Sequence, residues 1–367
     1  MVLSEGAQLR EWVNIVKTWG SVAAWEFQGE ITTSIEGNRR SIGSESIESM
    51  DYKTSFDVAS LTKIIFTTNM MMRSIDRGML TVNDCVRRFI PDWNDFGKDK
   101  ITIKQLLEHQ SGLQPWLPLY IRSKSQGQAL KRIAQSQLIC EPGTKRVYSD
   151  LGYIILGQIL SNVYTMDLPE IFEKDLKPVL GLNATQFALP INPINVAATS
   201  LGDNYELNMV SSGAPYPVSE KADEFSHWRT HFLQGEVNDG NAYHLFNGAS
   251  SHAGIFTDCN DILKMCRIYL NTYQQDEEFK KQTLKEFLII GSDPMQCLGF
   301  RTWMVPTPKG EVIIYGHTGF TGVAFGFSPE LNFAAVMLTN KLHTNEEIVK
   351  TDDLWIPFLV SSLSKIM

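Results

Sequence analysis

The chain has no apolar run close to the ~18 residues that a membrane-spanning helix needs. The stretches at 153–160 and 333–338 are core-sized. Cysteine is scarce. Cys85, Cys140, Cys259, Cys266 and Cys297 are odd in number and none stands in C-x-x-C spacing. That argues against a disulfide framework and against a zinc site. Positive charge is in deficit: 33 Lys and Arg face 41 Asp and Glu, a net charge of −8, with no long run of one sign. Attraction of nucleic acid or an anionic membrane by the overall field is therefore disfavoured. Gly (26) and Pro (15) are too few for a collagen-like or low-complexity chain of 367 residues. There is no G-x-S-x-G elbow, P-loop, H-E-x-x-H or dinucleotide-binding G-x-G-x-x-G. What is present is an ordinary globular composition, 43% hydrophobic and 20% charged, which excludes a disordered chain.

Length alone suggests about two domains, or one large domain with an insertion. The first twenty residues carry an early acid and amide and no apolar signal-peptide core, so an amphipathic helix is expected over 5–19, with a cytoplasmic location as the default and a periplasmic or secreted one if a leader has been removed. SVAAWEFQGEITTSIEG is rich in β-branched and aromatic residues and breaks at Gly29, which predicts a hairpin. Residues 56–78 have a helical pattern ended by Gly78. From about 80 to 240 the chain reads as short helices broken by Pro, Gly and Asn, with a loop at 211–220. EVIIYGHTG, VAFGFSPE and NFAAVMLTN are three further strands, and DLWIPFLVSSLSKIM closes as an amphipathic helix. Strand runs joined by short turns indicate an antiparallel sheet in an α+β fold. The two groups of strands must pair, so the middle becomes an insertion. Residues 1–78 and 245–367 are expected to form a sheet lobe and 79–244 a helical lobe. The site is expected in the cleft between them.

Ser60-Leu61-Thr62-Lys63 places a hydroxyl and an amine three apart, on one helical face. Such an amine can take the serine proton if its surroundings keep it neutral. A second copy, Ser362-Leu363-Ser364-Lys365, lies in the last helix and reads as chance. Tyr148-Ser149-Asp150 offers a loop tyrosine before a helix start, a candidate acid or base whose plainer reading is a loop anchor. In His317-Thr318-Gly319 the glycine permits close backbone approach, and the next amide, of Phe320, can serve an oxyanion hole. His227 and His231 lack a third ligand at any recognisable spacing and read as a solvated surface pair. Met70, Met71 and Met72 read as core filler.

In this order, S-x-x-K, Y-S-D and H-T-G resemble the serine β-lactamase and penicillin-binding superfamily, whose marks are S-x-x-K, Y-x-N and K-T-G or H-x-G. The resemblance is nearest to the class C-like branch, which includes esterases and D-alanyl-D-alanine carboxypeptidases. FDVASLTKIIFTT, DKITIKQLLEHQSGL, EPGTKRVYSDLGYIILGQIL, NGASSHAGIFTDCNDILKM and YGHTGFTGVAFGFSPELNFAAVMLTN carry it, across about 15–190 and 240–345. It implies a five-stranded antiparallel sheet flanked by the terminal helices, plus a helical lobe. It implies Ser60 as nucleophile, Lys63 and Tyr148 sharing the proton traffic, and the amides of Ser60 and Phe320 as oxyanion hole. Gln114 and Trp116 would border the cleft, and His252 would be structural. It implies no cofactor.

Two positions depart from the pattern. Asp150 stands where the family has an amide donor, and an ionised carboxylate cannot donate. His317 replaces a permanently charged lysine with an imidazole of ordinary pKa near 6.5, which would make carboxylate recognition pH-dependent. Both changes point away from penicillins and D-alanyl peptides. The expected activity is hydrolysis of a small ester, amide or peptide through an acyl-enzyme. A D-alanyl-D-alanine carboxypeptidase or weak β-lactamase is the alternative, and a non-catalytic scaffold is the rival from another class.

Overall fold

The computed structural model describes residues 20–41, 47–93, 95–188, 194–344 and 348–367. The helix expected over 5–19 lies outside them. In chain order the strands are β1 (Gly20–Phe27), β2 (Glu30–Arg40), β3 (Glu48–Ser49), β4 (Phe56–Asp57), β5 (Gln186–Phe187), β6 (Ala198–Leu201), β7 (Phe232–Gln234), β8 (Ile255–Thr257), β9 (Arg301–Thr307), β10 (Gly310–Gly319), β11 (Val323–Ser328) and β12 (Phe333–Thr339). β1 and β2 are joined through Gln28 and Gly29, both at positive φ (52° and 87°). A two-residue turn of that kind matches the twist of the strands it joins.

The main sheet has the order β3-β2-β1-β12-β11-β10-β9. Its strands pair antiparallel, with Ser21 opposite Thr339 and Phe27 opposite Phe333. Seven strands form where five were expected; the additions are the two edges. β3 is only two residues long. β9, RTWMVPT, carries a proline and an arginine that hide its strand character. An edge strand tolerates Pro306 because one side of it needs no ladder donor.

Alternation along the strands sends side chains to two apolar layers. Val22, Ala24, Val323, Phe325, Phe327, Val336 and Leu338 join the larger core, together with the helices Asn69–Asp76 and Cys259–Gln274. Ala23, Trp25, Ile314, Ala335 and Met337 face the helix Thr351–Leu363, which contributes Leu354, Trp355, Phe358 and Leu359. Burying each of these large side chains contributes roughly 1.5–3 kcal/mol. The sheet is therefore a filled middle layer with a rigid end at β10.

The intervening chain is mostly short helices. The longest of those before the β8 strap, Asp150–Tyr164, buries nine residues around most of its circumference. Ser149 caps it, its hydroxyl oxygen accepting the Gly152 amide at 3.2 Å. β4, β8 and β5 form a small strap beside the start of residues 59–61. Among the described residues no helix is long and apolar enough to cross a membrane, and no cluster of His, Cys, Asp and Glu could hold a metal ion.

Candidate active site

The chain leaves β4 and turns sharply at Ala59, whose φ of 44° lies in the left-handed region. A 3-10 turn (Ala59–Leu61) follows, then a π-helical stretch (Lys63–Thr68), then the α-helix Asn69–Asp76. The sequence predicted one continuous helix here. Hydroxyls next to the backbone explain the difference. Thr68 donates to the Lys63 carbonyl at 2.8 Å, and Thr67 to the Ser251 carbonyl at 2.6 Å. Side-chain donors of this kind compete with the α ladder, and π segments recur at functional sites.

The result is a half-buried Ser60 above a fully buried Lys63. The Lys63 ammonium donates to Ser60 Oγ at 2.9 Å and to the His252 carbonyl at 3.2 Å. It also forms a 2.7 Å ion pair with Asp150 Oδ1. Burial alone would push this amine down. The Asp150 carboxylate, and Tyr148 after it, outweigh burial and hold Lys63 above the usual lysine value.

Residues 109–115 brace the loop that carries Tyr148. The Val147 amide donates to the His109 carbonyl (2.7 Å) and the Asp150 amide to the Pro115 carbonyl (2.9 Å). The Ser149 amide donates to His109 Nδ1 (3.0 Å) and its hydroxyl to the Gln114 carbonyl (2.6 Å). The His109 ring packs on Tyr148 with centroids 4.4 Å apart, and Lys63 Nζ lies 5.0 Å from the Tyr148 ring centre. Gln114, expected at the cleft border, meets the site loop through its carbonyl, and Trp116, expected beside it, is 4% exposed. Of the two placements open to Asp150, facing the substrate or turned to Lys63, the carboxylate takes the second.

The end of β10 forms the opposite wall. A Cβ added at Gly319 would lie 2.7 Å from the Val58 carbonyl and 2.5 Å from Val323. Only glycine lets this strand approach the turn that carries Ser60. Ser60, Tyr148, His317, Thr318, Gly319 and Phe320 line one cleft of about 520 Å3. The His317 ring is buried, and its Nδ1–H donates to the Thr318 carbonyl at 2.7 Å. Burial, with the charges of Lys63 and Arg301, holds this imidazole well below its ordinary pKa. The charge change expected of His317 near neutral pH is thus overturned by desolvation. His109 is held down in the same way, by burial and by Lys63.

Cations reach the cleft from places the motifs do not mark. Arg301 opens β9 opposite Gly316, donates to Thr318 Oγ1 at 2.7 Å and pairs with Asp352 at 2.9 Å. Arg146, Lys341 and Lys350 line the same cleft, as does Tyr216 from the 211–220 loop. Arg301 stands far from its partners in the chain and follows no spacing rule. Arg146 had one signal, its place two residues before Tyr148. His252 meets Lys63 through its carbonyl, while its ring bridges Ser250 (2.8 Å) and Asp239 (3.1 Å). His231 pairs with Glu236 at 2.6 Å, and His227 packs against Phe225.

The model of the beta-lactamase family matches residues 35–356. An N-acetylmuramyl-L-alanine amidase of Bacillus subtilis (strain 168) is 31% identical over 321 residues, 80% of this chain and 70% of that one. A putative D-alanyl-D-alanine carboxypeptidase of Salmonella agona is 32% identical over 317 residues, 79% of this chain and 70% of that one. The beta-lactamase/D-alanine carboxypeptidase of Pseudomonas syringae superposes with a TM-score of 0.70 at 16% identity, over 98% of this chain and 97% of that one. This chain belongs to the beta-lactamase family of serine hydrolases.

Proposed function

We propose that the chain cleaves an ester or amide through an acyl-enzyme on Ser60. The observation that carries this reading is the Ser60–Lys63–Asp150 chain of contacts, 2.9 and 2.7 Å long, at the floor of the cleft. Ser60 Oγ would bond to the acyl carbon while the carbonyl electrons move onto oxygen, held by the Ser60 and Phe320 amides. A protonated Lys63 takes the Ser60 proton only as it gives up one of its own. The Asp150 carboxylate, at 2.7 Å, would receive it, and Tyr148 can act only as a relay, accepting a proton as its own hydroxyl proton passes on. Return of that proton to the leaving group accompanies cleavage of the C–O or C–N bond, and water then clears the acyl-enzyme.

A second reading is favoured by one observation, the cations Arg146, Arg301 and Lys341 in the same cleft. They suit a substrate whose leaving group carries a carboxylate, as in a D-alanyl-D-alanine peptide. The cation missing at position 317 would then be supplied from β9.

Labelling with a fluorophosphonate or fluorescent penicillin, located by mass, tests the first reading. Hydrolysis of p-nitrophenyl esters, D-amino-acid amides, D-alanyl-D-alanine peptides and nitrocefin tests its scope. The adduct is expected on Ser60 and should vanish in Ser60→Ala. An adduct on Ser362 overturns the assignment of Ser60, and neither labelling nor turnover overturns the reading in favour of the non-catalytic scaffold. For the second reading, Arg301→Ala should raise KM for carboxylate substrates by roughly 10–100-fold and leave neutral esters within a few-fold. Equal effects on both would remove Arg301 from recognition.

A further inference from the structure

We propose that Asp57 is a positioning residue for Ser60, its carboxylate locking the nucleophile turn onto the loop at residues 238–239. The inference rests on the proposed acyl-enzyme at Ser60 and adds a residue that does not touch substrate. Asp57 is 1% exposed. Its Oδ1 accepts the Ala59 amide at 2.8 Å and its Oδ2 accepts the Asn238 amide at 2.6 Å. Its carbonyl accepts the Thr321 hydroxyl at 2.8 Å. Three parts of the site therefore meet at one residue. Ala59 precedes Ser60, and Thr321 follows Phe320. Asn238 precedes Asp239, which bridges to His252, whose carbonyl holds Lys63.

The choice of a carboxylate is informative. Among the described residues Asp57 makes no ion pair, because the cation facing it, Arg229, is bound to Asp203 at 2.6 Å. A buried carboxylate without a cation is costly and calls for a reason. Here the reason is two backbone N–H donors that need two acceptors. An asparagine has one oxygen and would turn its NH2 toward the second N–H. Ala59 is also a non-glycine residue at positive φ, a conformation that persists only when its surroundings over-determine it. The Asp57–Ala59 bond is one of the contacts that fix it, with the Leu61 amide bonded to the Val58 carbonyl at 2.9 Å.

The same arrangement responds to pH. The charged groups facing Asp57 are Asp239, bridged to His252, and Arg229, paired with Asp203. Lys63, beyond the turn, is committed to Asp150. Burial pushes the Asp57 carboxyl up to about 6, against the two amide donors; Asp239 adds to the rise and Arg229 opposes it. A protonated Asp57 presents a hydroxyl to one of the two N–H groups, so the turn should open as pH falls through about 6. Asp57→Asn is a permanent copy of that state.

The experiment compares wild type with Asp57→Asn in p-nitrophenyl acetate hydrolysis and fluorophosphonate labelling from pH 5 to 9, with Tm at each pH. Expected are an acid limb near pH 6 in wild type and, in Asp57→Asn, its loss together with a kcat roughly 100-fold lower, KM within about threefold and a Tm within a few degrees. Wild-type kcat in Asp57→Asn, an unchanged acid limb, or a loss of activity that merely follows Tm overturns the proposal. Should Asp57→Asn not fold, hydrogen exchange of the wild-type Ala59 and Asn238 amides, each corrected for its intrinsic rate, decides instead: protection is expected to fall as pH drops through about 6, and protection unchanged from pH 5 to 8 overturns the proposal. Wild type labelled at Ser60 while Asp57→Asn labels as fast sinks only the positioning role. Wild type left unlabelled sinks the acyl-enzyme reading itself.

Discussion

Lys341 lines the cleft with its ammonium donating to the Val349 carbonyl at 2.7 Å. Burial pushes it down to about 8, with Asp353 and Asp352 opposing. An amine with a lowered pKa loses its charge earlier as pH rises. Substrates with a carboxylate should therefore lose their advantage over neutral analogues as pH passes 8, by roughly fivefold for a charge-assisted bond of about 1 kcal/mol. The ratio of the two kcat/KM values from pH 6 to 9.5 measures this, and Lys341→Met should flatten it. Buried His317 should add no step between pH 5.5 and 7. Asp150→Asn removes the strongest contact that holds Lys63 above the usual lysine value. Its acylation should rise with pH along a limb displaced to lower pH than in wild type, and an unmoved limb would mean that the pair does not control the proton. Ser60, Lys63, Tyr148 and Gly319 were legible in the sequence because each sits in a short local motif. Arg301 and Asp57 were not, because their partners Asp352, Asn238 and Thr321 are brought to them only by the fold.

At the level of elements, the site depends on the approach of β10 to the turn that carries Ser60. Gly319→Ala would force a Cβ against the Val58 carbonyl and Val323. Overpacking of this kind costs about 1–3 kcal/mol, and a displaced oxyanion donor costs about 10²–10³ in rate. The expected outcome is a large fall in acylation with a modest fall in Tm. Normal labelling of Gly319→Ala at full stability would separate β10 from the chemistry. Composition revealed β1, β2, β10, β11 and β12, runs rich in β-branched, aromatic and small apolar residues bounded by turn residues. β9 escaped because Arg301, Thr302 and Pro306 break that pattern. The π-helical stretch escaped for another reason: Thr67 and Thr68 read as ordinary helix residues until their hydroxyls find carbonyl partners.

For the whole molecule, buried acids set the pH at which the fold is firmest. Glu206 accepts from Tyr120 and from the Gly240 amide, and burial raises its carboxyl. Asp57 is raised likewise, to about 6. Acids with a raised folded pKa bind protons more tightly folded than unfolded, so stability falls as pH climbs out of the ordinary carboxylate range. Asp203 acts oppositely. His244 and Arg229 hold it down at about 2 despite burial, and its contribution is lost as pH falls from the ordinary carboxylate range toward 2. Buried His109 and His317, held below the ordinary imidazole value, pull the other way as pH falls through about 6.5, because the unfolded chain takes those protons first. The part that belongs to Glu206 is therefore read as a difference: the Tm of wild type minus that of Glu206→Gln should be larger at pH 5.5 than at pH 8, by roughly 2–5 °C. The variant should still fold, since a glutamine can accept from Gly240 and donate to the Tyr120 oxygen, and an equal gap at both pH values would mean that Glu206 holds no extra proton affinity. For Asp57 taken alone, its contributions to activity and to stability should move apart on acidification, because protonation relieves the burial of its charge and opens the turn before Ser60.

The pairing of β1 with β12 bears on how the chain is made. Ser21 waits for Thr339, and Phe27 for Phe333. At about 5–20 residues per second of synthesis, that interval is on the order of tens of seconds. Throughout it, GSVAAWEF has β2 on one side and nothing on the other, an apolar strand with an open ladder. A ribosome stalled near residue 300 would hold a finished nucleophile turn without the wall that completes its cleft, and a sticky edge that only the last strand can cover. The newborn protein is thus most vulnerable to aggregation just before its final strand emerges.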